Sequence, residues 1–175
     1  VPAPNLNPDF NIVRLRHVEY NVRDLAASRA FYVDTLGLQV THETEDAIYL
    51  RAMEERGHHC IHLIKSDTAS VGVLGFKVWE DADLDRLSDF FTERGLPVEW
   101  IEKPFFGRIL RSRDPWGIPL EFYAKMKRLA PIHQKYALYR GVKPLRIDHF
   151  NMFSSDVDAS VNFYNDMGFR VTEYT

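Results

Sequence analysis

The 175-residue chain is 45% hydrophobic and 27% charged, and its 22 basic and 25 acidic side chains leave a formal net charge of −3. That balance excludes the basic footprint of a nucleic-acid binder, and no apolar run approaches the roughly 18 residues that cross a bilayer. A single cysteine, Cys60, excludes an internal disulfide and suits a reducing, cytoplasmic setting.

The opening segment VPAPNLNPDF lacks the apolar stretch of a secretory signal. Pro2, Pro4 and Pro8 predict an extended arm over residues 1–11. From Leu15, the residues His17, Glu19 and Asn21 alternate with Arg16, Val18, Tyr20 and Val22, which is strand spacing. Asp24 stands at an N-cap position before LAASRAFYVDTL, whose Leu25, Ser28, Phe31, Tyr32 and Leu36 share a helical face. Gly37 suits the helix stop. Strands are predicted at Leu38–Thr41, Ala47–Arg51 and Cys60–Lys65, completing β-α-β-β-β. The same order then recurs in diverged form: strand VGVLGFKV, helix DADLDRLSDFFTERG, and strands PVEWI, RILRSR and PLEFYA. Residues 12–125 are therefore read as one module of two βαβββ units, in an α+β fold. Residues 126–144 are read as a linker, partly helical around Pro131.

At Arg146 the chain starts its first unit again. Without gaps, Arg14, His17, Asp24, Ala27, Ser28, Phe31, Tyr32 and Asp34 match Arg146, His149, Asp156, Ala159, Ser160, Phe163, Tyr164 and Asp166. A one-residue deletion then aligns Gly37 with Gly168, Val40 with Val171 and Thr41 with Thr172. Residues 145–175 are thus read as the incomplete start of a second module, with one strand, one helix and part of another strand. In that first strand Ile147, His149 and Asn151 should face one way, and Asp148, Phe150 and Met152 the other. His149 then stands either as a metal-capable imidazole beside an amide or as a packing residue on a half-buried strand.

Paired βαβββ units, the run DPWGIPLEFY from Asp114 to Tyr123, and the segments IVR, YxLY, LRIDHFN and GFRVTE together resemble the vicinal-oxygen-chelate superfamily, and within it the type I extradiol dioxygenases. The resemblance implies a silent first module and a catalytic second one. It makes His149 the first metal ligand, places Asn151 on the substrate side of the same site, and puts the other two ligands beyond Thr175. It implies Fe(II), or alternatively Mn(II), with O2 as co-substrate. The substrate would be a small aromatic diol, a catechol such as 3,4-dihydroxyphenylacetate, opened to a muconic semialdehyde. It also implies a homo-oligomer, with the proline-rich arm as a subunit contact.

His17 and Glu121 occupy the equivalent ligand places of the first module, while the middle place, near Val73, has no histidine. They are therefore expected to be vestigial. His58, His59 and His62 form H-H-x-x-H, and on a strand His58, Cys60 and His62 would share a face. That leaves a soft-metal cluster open beside a simple turn leading into a strand. Phe105, Phe106 and Trp116 are read as pocket-lining or packing residues, and Lys125, Lys127 and Arg128 as a solvated basic face. Two other functions stay open: a non-catalytic, antibiotic-sequestering binder of the same superfamily, and a glyoxalase-type isomerase or lyase.

Overall fold

The structure, a computed structural model, describes residues 2–173. Eight strands form one mixed sheet in the order β2-β3-β4-β1-β5-β8-β7-β6. They are β1 Ile12–Val22, β2 Gln39–Glu43, β3 Ala47–Arg51, β4 Ile61–Lys65, β5 Ser70–Val78, β6 Glu99–Ile101, β7 Ile109–Arg113 and β8 Pro119–Tyr123. Within each unit the first and last strands run parallel, β1 with β4 and β5 with β8, and the two units join along an antiparallel β1–β5 seam. The sheet order reads as one unit followed by its mirror order, so the predicted pair of βαβββ units is present.

Alternation sorts the strands into two faces. Val18, Ile48, Leu50, Leu63, Leu74, Phe76, Leu110, Leu120 and Phe122 form the core beneath the helices. Helix α2, Asp81–Glu93, adds Leu84, Leu87 and Phe91, all fully buried, at the spacing of one helical face. The buried Asp83 carboxylate ties helix α2 to the N-terminal arm: it accepts the N–H of Asn11 and of the helix-capping Glu80, each at 3.0 Å, and meets Arg86 at 3.0 Å. Phe10 of the N-terminal arm also belongs to this core.

The first helix departs from the sequence reading. Only α1, Leu25–Arg29, is α-helical; Ala30–Thr35 is a π-helical turn, with Leu36 N–H bonded to the Phe31 carbonyl. Its counterpart in the repeat, α3 at Val157–Asp166, is regular. One residue more separates Asp24 from Gly37 than separates Asp156 from Gly168. A π-turn absorbs one inserted residue while keeping both ends of a helix in register. Those ends are indeed the same. Asp24 and Asp156 cap the N–H of Ala27 and Ala159 at 2.8 and 2.9 Å, and Gly37 and Gly168 both take left-handed φ, +84° and +87°.

The second module also departs from expectation. Residues 145–153 form no strand, nor do 169–173, and the last two residues lie outside those described. A strand needs a ladder partner, and no described strand pairs with these segments. Ile147 and Phe150, rather than Ile147 with His149 and Asn151, turn toward the core. Helix α3 is present and packs on the first module: Met167 and Phe163 are buried in its core, with the Phe163 ring 6.0 Å from Phe90 and 6.2 Å from Trp116. The linker contains one 3-10 turn at Tyr136–Leu138, later than Pro131.

Candidate functional site

On the face opposite the helices, the central strands set three positions in one cross-strand row. His17 of β1 pairs with Gly75 of β5, which pairs with Glu121 of β8. His17 and Glu121 are fully buried, and His17 Nε2 lies 3.1 Å from Glu121 Oε1. Gly75 makes this approach possible, because a Cβ there would stand 2.0 Å from the His17 ring. One turn of alternation further on, Glu19 of β1 adds a second buried carboxylate, whose Oε1 lies 2.9 Å from His62 Nδ1. The Lys103 ammonium bridges the two acids, 2.6 Å from Glu19 Oε1 and 2.6 Å from Glu121 Oε2. Arg111 of β7 completes the group, 3.1 Å from Glu121 Oε2 and 3.7 Å from Glu19 Oε2.

Two carboxylates and two permanent cations bring the formal charge to zero. Burial pushes both acids toward the neutral form, but their partners win. Against burial, the bonds from His62 and Lys103 hold Glu19 at about 2. Glu121 is likewise lowered, chiefly by His17 and then Lys103. Ionised carboxylates only accept hydrogen bonds, so His17 must donate from Nε2 and His62 from Nδ1. Those nitrogens have no lone pair to offer a metal. Among the described residues, no group of three or more His, Cys, Asp or Glu side chains is placed to hold a metal ion. The residues of the first module, as arranged, do not fit one.

Rings fill the rest of this face. Tyr49 stacks on His62 at 4.0 Å, Phe105 on His58 at 3.6 Å, and Phe106 meets His17, His59 and Tyr123 edge-on or tilted at 4.8–5.3 Å. Phe105 and Phe106 are thus packing residues here. Burial, followed by nearby Lys127, lowers His58 to about 4; burial, followed by His17 and His62, holds His59 well below the ordinary histidine range. The soft-metal reading of H-H-x-x-H is overturned. Cys60 sits in the hydrophobic core and its thiol is raised by burial to about 11, while His62 reaches the opposite, polar face. The strand begins only at Ile61, so the alternation does not extend back through Cys60 to His58.

His149 lies far from this group in sequence and setting. Its side chain is 84% exposed, with Nδ1 3.5 Å from Asp148 Oδ2, and Asn151 is exposed as well. The structure brings His17 and Glu121 together but sets His149 and Asn151 on an unpaired segment. Lys103, Glu19 and Arg111 were not singled out from sequence, and His62 only within H-H-x-x-H and not as a partner of Glu19. Glu19 was within reach, since alternation puts it on the His17 face. Lys103 comes from a loop, where no periodicity marks it. Lys125 extends into solvent, paired with Asp81 at 2.6 Å. No helix among the described residues is long and apolar enough to cross a membrane.

The profile of the Glyoxalase/Bleomycin resistance protein/Dioxygenase superfamily matches residues 14–122 and 146–175. The chain is 29% identical over 175 residues to a manganese-dependent 2,3-dihydroxybiphenyl 1,2-dioxygenase of Geobacillus genomosp. 3, covering 93% of this chain and 56% of that protein. It is 28% identical to a metapyrocatechase of Geobacillus stearothermophilus, covering 95% and 54%. Among solved structures, homoprotocatechuate 2,3-dioxygenase from Brevibacterium fuscum in complex with 3,4-dihydroxyphenylacetate superposes with a TM-score of 0.91 at 38% identity, covering 98% of this chain and 55% of that one. The chain spans about half the length of the relatives it matches. With both repeats inside the matched segments and the paired βαβββ sheet in place, the chain belongs to the Glyoxalase/Bleomycin resistance protein/Dioxygenase superfamily.

Proposed function

We propose that this chain is the N-terminal part of a metal-dependent extradiol dioxygenase, which uses O2 to open a catechol outside its two hydroxyl-bearing carbons. The observation that carries the reading is the 38% identity and TM-score of 0.91 across 98% of the chain with homoprotocatechuate 2,3-dioxygenase. Residues 12–125 are the non-catalytic module, 126–144 the linker, and 145–175 the start of the catalytic module. His149 is the first metal ligand and Asn151 a substrate-side neighbour. Fe(II) or Mn(II), bound in the completed site, would chelate the diol and gather O2 beside it. The substrate class is a small aromatic diol such as 3,4-dihydroxyphenylacetate. The enzyme acts in the cytoplasm as a homo-oligomer; a monomeric mass in solution would overturn the oligomer.

Oxygen uptake tests the reading, with the intact protein loaded with Fe(II) or Mn(II) and given 3,4-dihydroxyphenylacetate. One O2 consumed per ring opened is expected, lost in His149→Ala and retained in His17→Ala. Tight binding of the diol without oxygen uptake would favour the sequestering binder. The repeat that restarts at Arg146 speaks against that alternative, since a binder has no need of a second module's metal ligand. Turnover of hemithioacetals in place of catechols would point to the glyoxalase-type chemistry.

A further inference from the structure

We propose that the first module carries an anion site: the cleft lined by Arg14, Arg16, Arg56, Lys77, Tyr123 and Arg128 takes a doubly charged phosphate group, free or on a small ester. The inference concerns this module alone and does not rest on the activity proposed above.

The cleft is built on one row of the sheet. Arg14 of β1 lies opposite Lys77 of β5, and Lys77 lies opposite Tyr123 of β8. This row is one step of alternation beyond Gly75 and Glu121, on the same face. Like charges placed directly opposite each other repel. Arg16 adds a third cation, because it is the extra residue of a bulge between Leu15 and His17 that turns it toward this face. It is only 7% exposed, and Gly57 lets it lie there, since a Cβ on Gly57 would collide with its guanidinium. Arg56 and Arg128 stand at the β-bridge that joins Gly57 to Arg128. The cavity among these side chains measures about 470 Å³.

The carboxylates present do not balance these charges. Glu55 pairs with Arg16 and, at 3.1 Å, with Arg14. Glu54 also lines the cleft, but its carboxylate pairs with Arg146 at 3.3 Å. Lys77, Arg56 and Arg128 form no ion pair among the described residues. The crowding shows on Lys77: burial, followed by the nearby Arg16, holds its ammonium below the ordinary lysine range. Three cations left over in one cleft match a phosphate dianion better than a single carboxylate, and guanidinium forks fit phosphate oxygens in pairs.

An uncharged donor favours the same occupant. Tyr123 is 1% exposed, and its hydroxyl has no hydrogen-bond partner among the described residues. Arg16 is near it without reaching hydrogen-bond geometry. A buried hydroxyl is rarely left unpaired, and an oxyanion in the cleft would accept its O–H.

Inorganic phosphate is the probe, titrated into the whole chain by calorimetry at constant ionic strength with chloride as the balancing anion. One phosphate per chain should bind saturably, and acetate should bind at least about tenfold more weakly. Lys77→Gln and Arg128→Gln should each weaken phosphate at least about fivefold, and Tyr123→Phe about threefold, while Lys135→Gln, at an exposed lysine elsewhere, leaves it unchanged. Phosphate should also raise the thermal unfolding midpoint above its value in chloride. Glycerol phosphate run alongside assigns the source: tighter binding than phosphate identifies an ester, weaker binding the free ion, and either supports the site. The proposal is overturned by an absence of saturable phosphate binding, by acetate binding as tightly as phosphate, or by an unchanged affinity in any of the three cleft variants. If Lys77→Gln does not fold, Arg128→Gln decides, because that side chain is exposed and its loss leaves the core intact.

Discussion

Glu19, Glu121, His58 and His59 shape the pH response because all four are buried and all depart from their ordinary protonation. Glu19 is lowered from 4.5 to about 2 in the folded chain. It therefore contributes stability that is fully present above pH 4.5 and is lost as pH falls through the folded value near 2. The contribution is on the order of 3 kcal/mol. His59 is lowered below 6.5 by burial, so it too stabilises the neutral-pH fold, and its share starts to disappear once pH drops below 6.5. Denaturant midpoints between pH 8 and pH 3 should fall in two stages, one beginning near pH 6.5 and one below 4.5. A midpoint flat from pH 7 to pH 5 would refute the first stage. Glu121→Gln should cost about 3 kcal/mol at neutral pH, since it leaves Lys103 and Arg111 with one buried carboxylate between them. An urea titration of that variant matching wild type would show that the bridge carries no weight.

The two copies of the first helix show what an element can tolerate. An extra residue in the first copy is absorbed by the π-turn at Ala30–Thr35, while both caps and both stop glycines keep their geometry. Deleting the exposed Asp34 should therefore return the segment to α-helix at a cost of about 1 kcal/mol. Deleting Asp89 from α2 should cost far more, because the loss rotates Phe91 by about 100° away from its buried position. That variant should lose about 3–5 kcal/mol or fail to fold cooperatively. Circular dichroism and urea midpoints of the two deletions check the contrast, and equal losses would mean that the π-turn absorbs nothing. The caps and the stop glycines were legible in sequence, because each depends on spacing within a single segment. The π-turn was not, although the one-residue offset between the copies was its visible trace.

Across the whole molecule, the second repeat and the first module share one core. Phe163 and Met167 of α3 join it, Phe150 and Phe169 meet the Phe76 ring edge-on at 6.4 and 5.6 Å, and the Tyr164 hydroxyl donates to Asp114 at 3.0 Å. Phe163→Ala should accordingly destabilise the entire chain by about 3 kcal/mol, instead of merely loosening residues 157–166. Hydrogen exchange distinguishes the outcomes: faster exchange in β5 and β8 as well as in α3 supports a shared core, and faster exchange confined to α3 contradicts it.

Strand alternation, helix caps and the recurrence of Arg14–Thr41 at Arg146–Thr172 are patterns along the chain, and from them the sequence by itself determined the paired βαβββ units, while motifs such as DPWGIPLEFY and LRIDHFN carried the resemblance to their family. The sequence also singled out His17, whose match to His149 can be counted along the chain, and Glu121, which the resemblance of DPWGIPLEFY to the family's closing strand marks. What fills the site was decided only by the tertiary structure. Lys103 reaches Glu19 and Glu121 through a loop, His62 arrives from β4 by parallel pairing with β1, and Gly75 leaves the space His17 occupies. The segment around His149 likewise had the alternation of a strand but no partner to pair with. Periodicity records what one segment prefers, whereas a ladder or a buried ion pair exists only when residues distant in sequence meet.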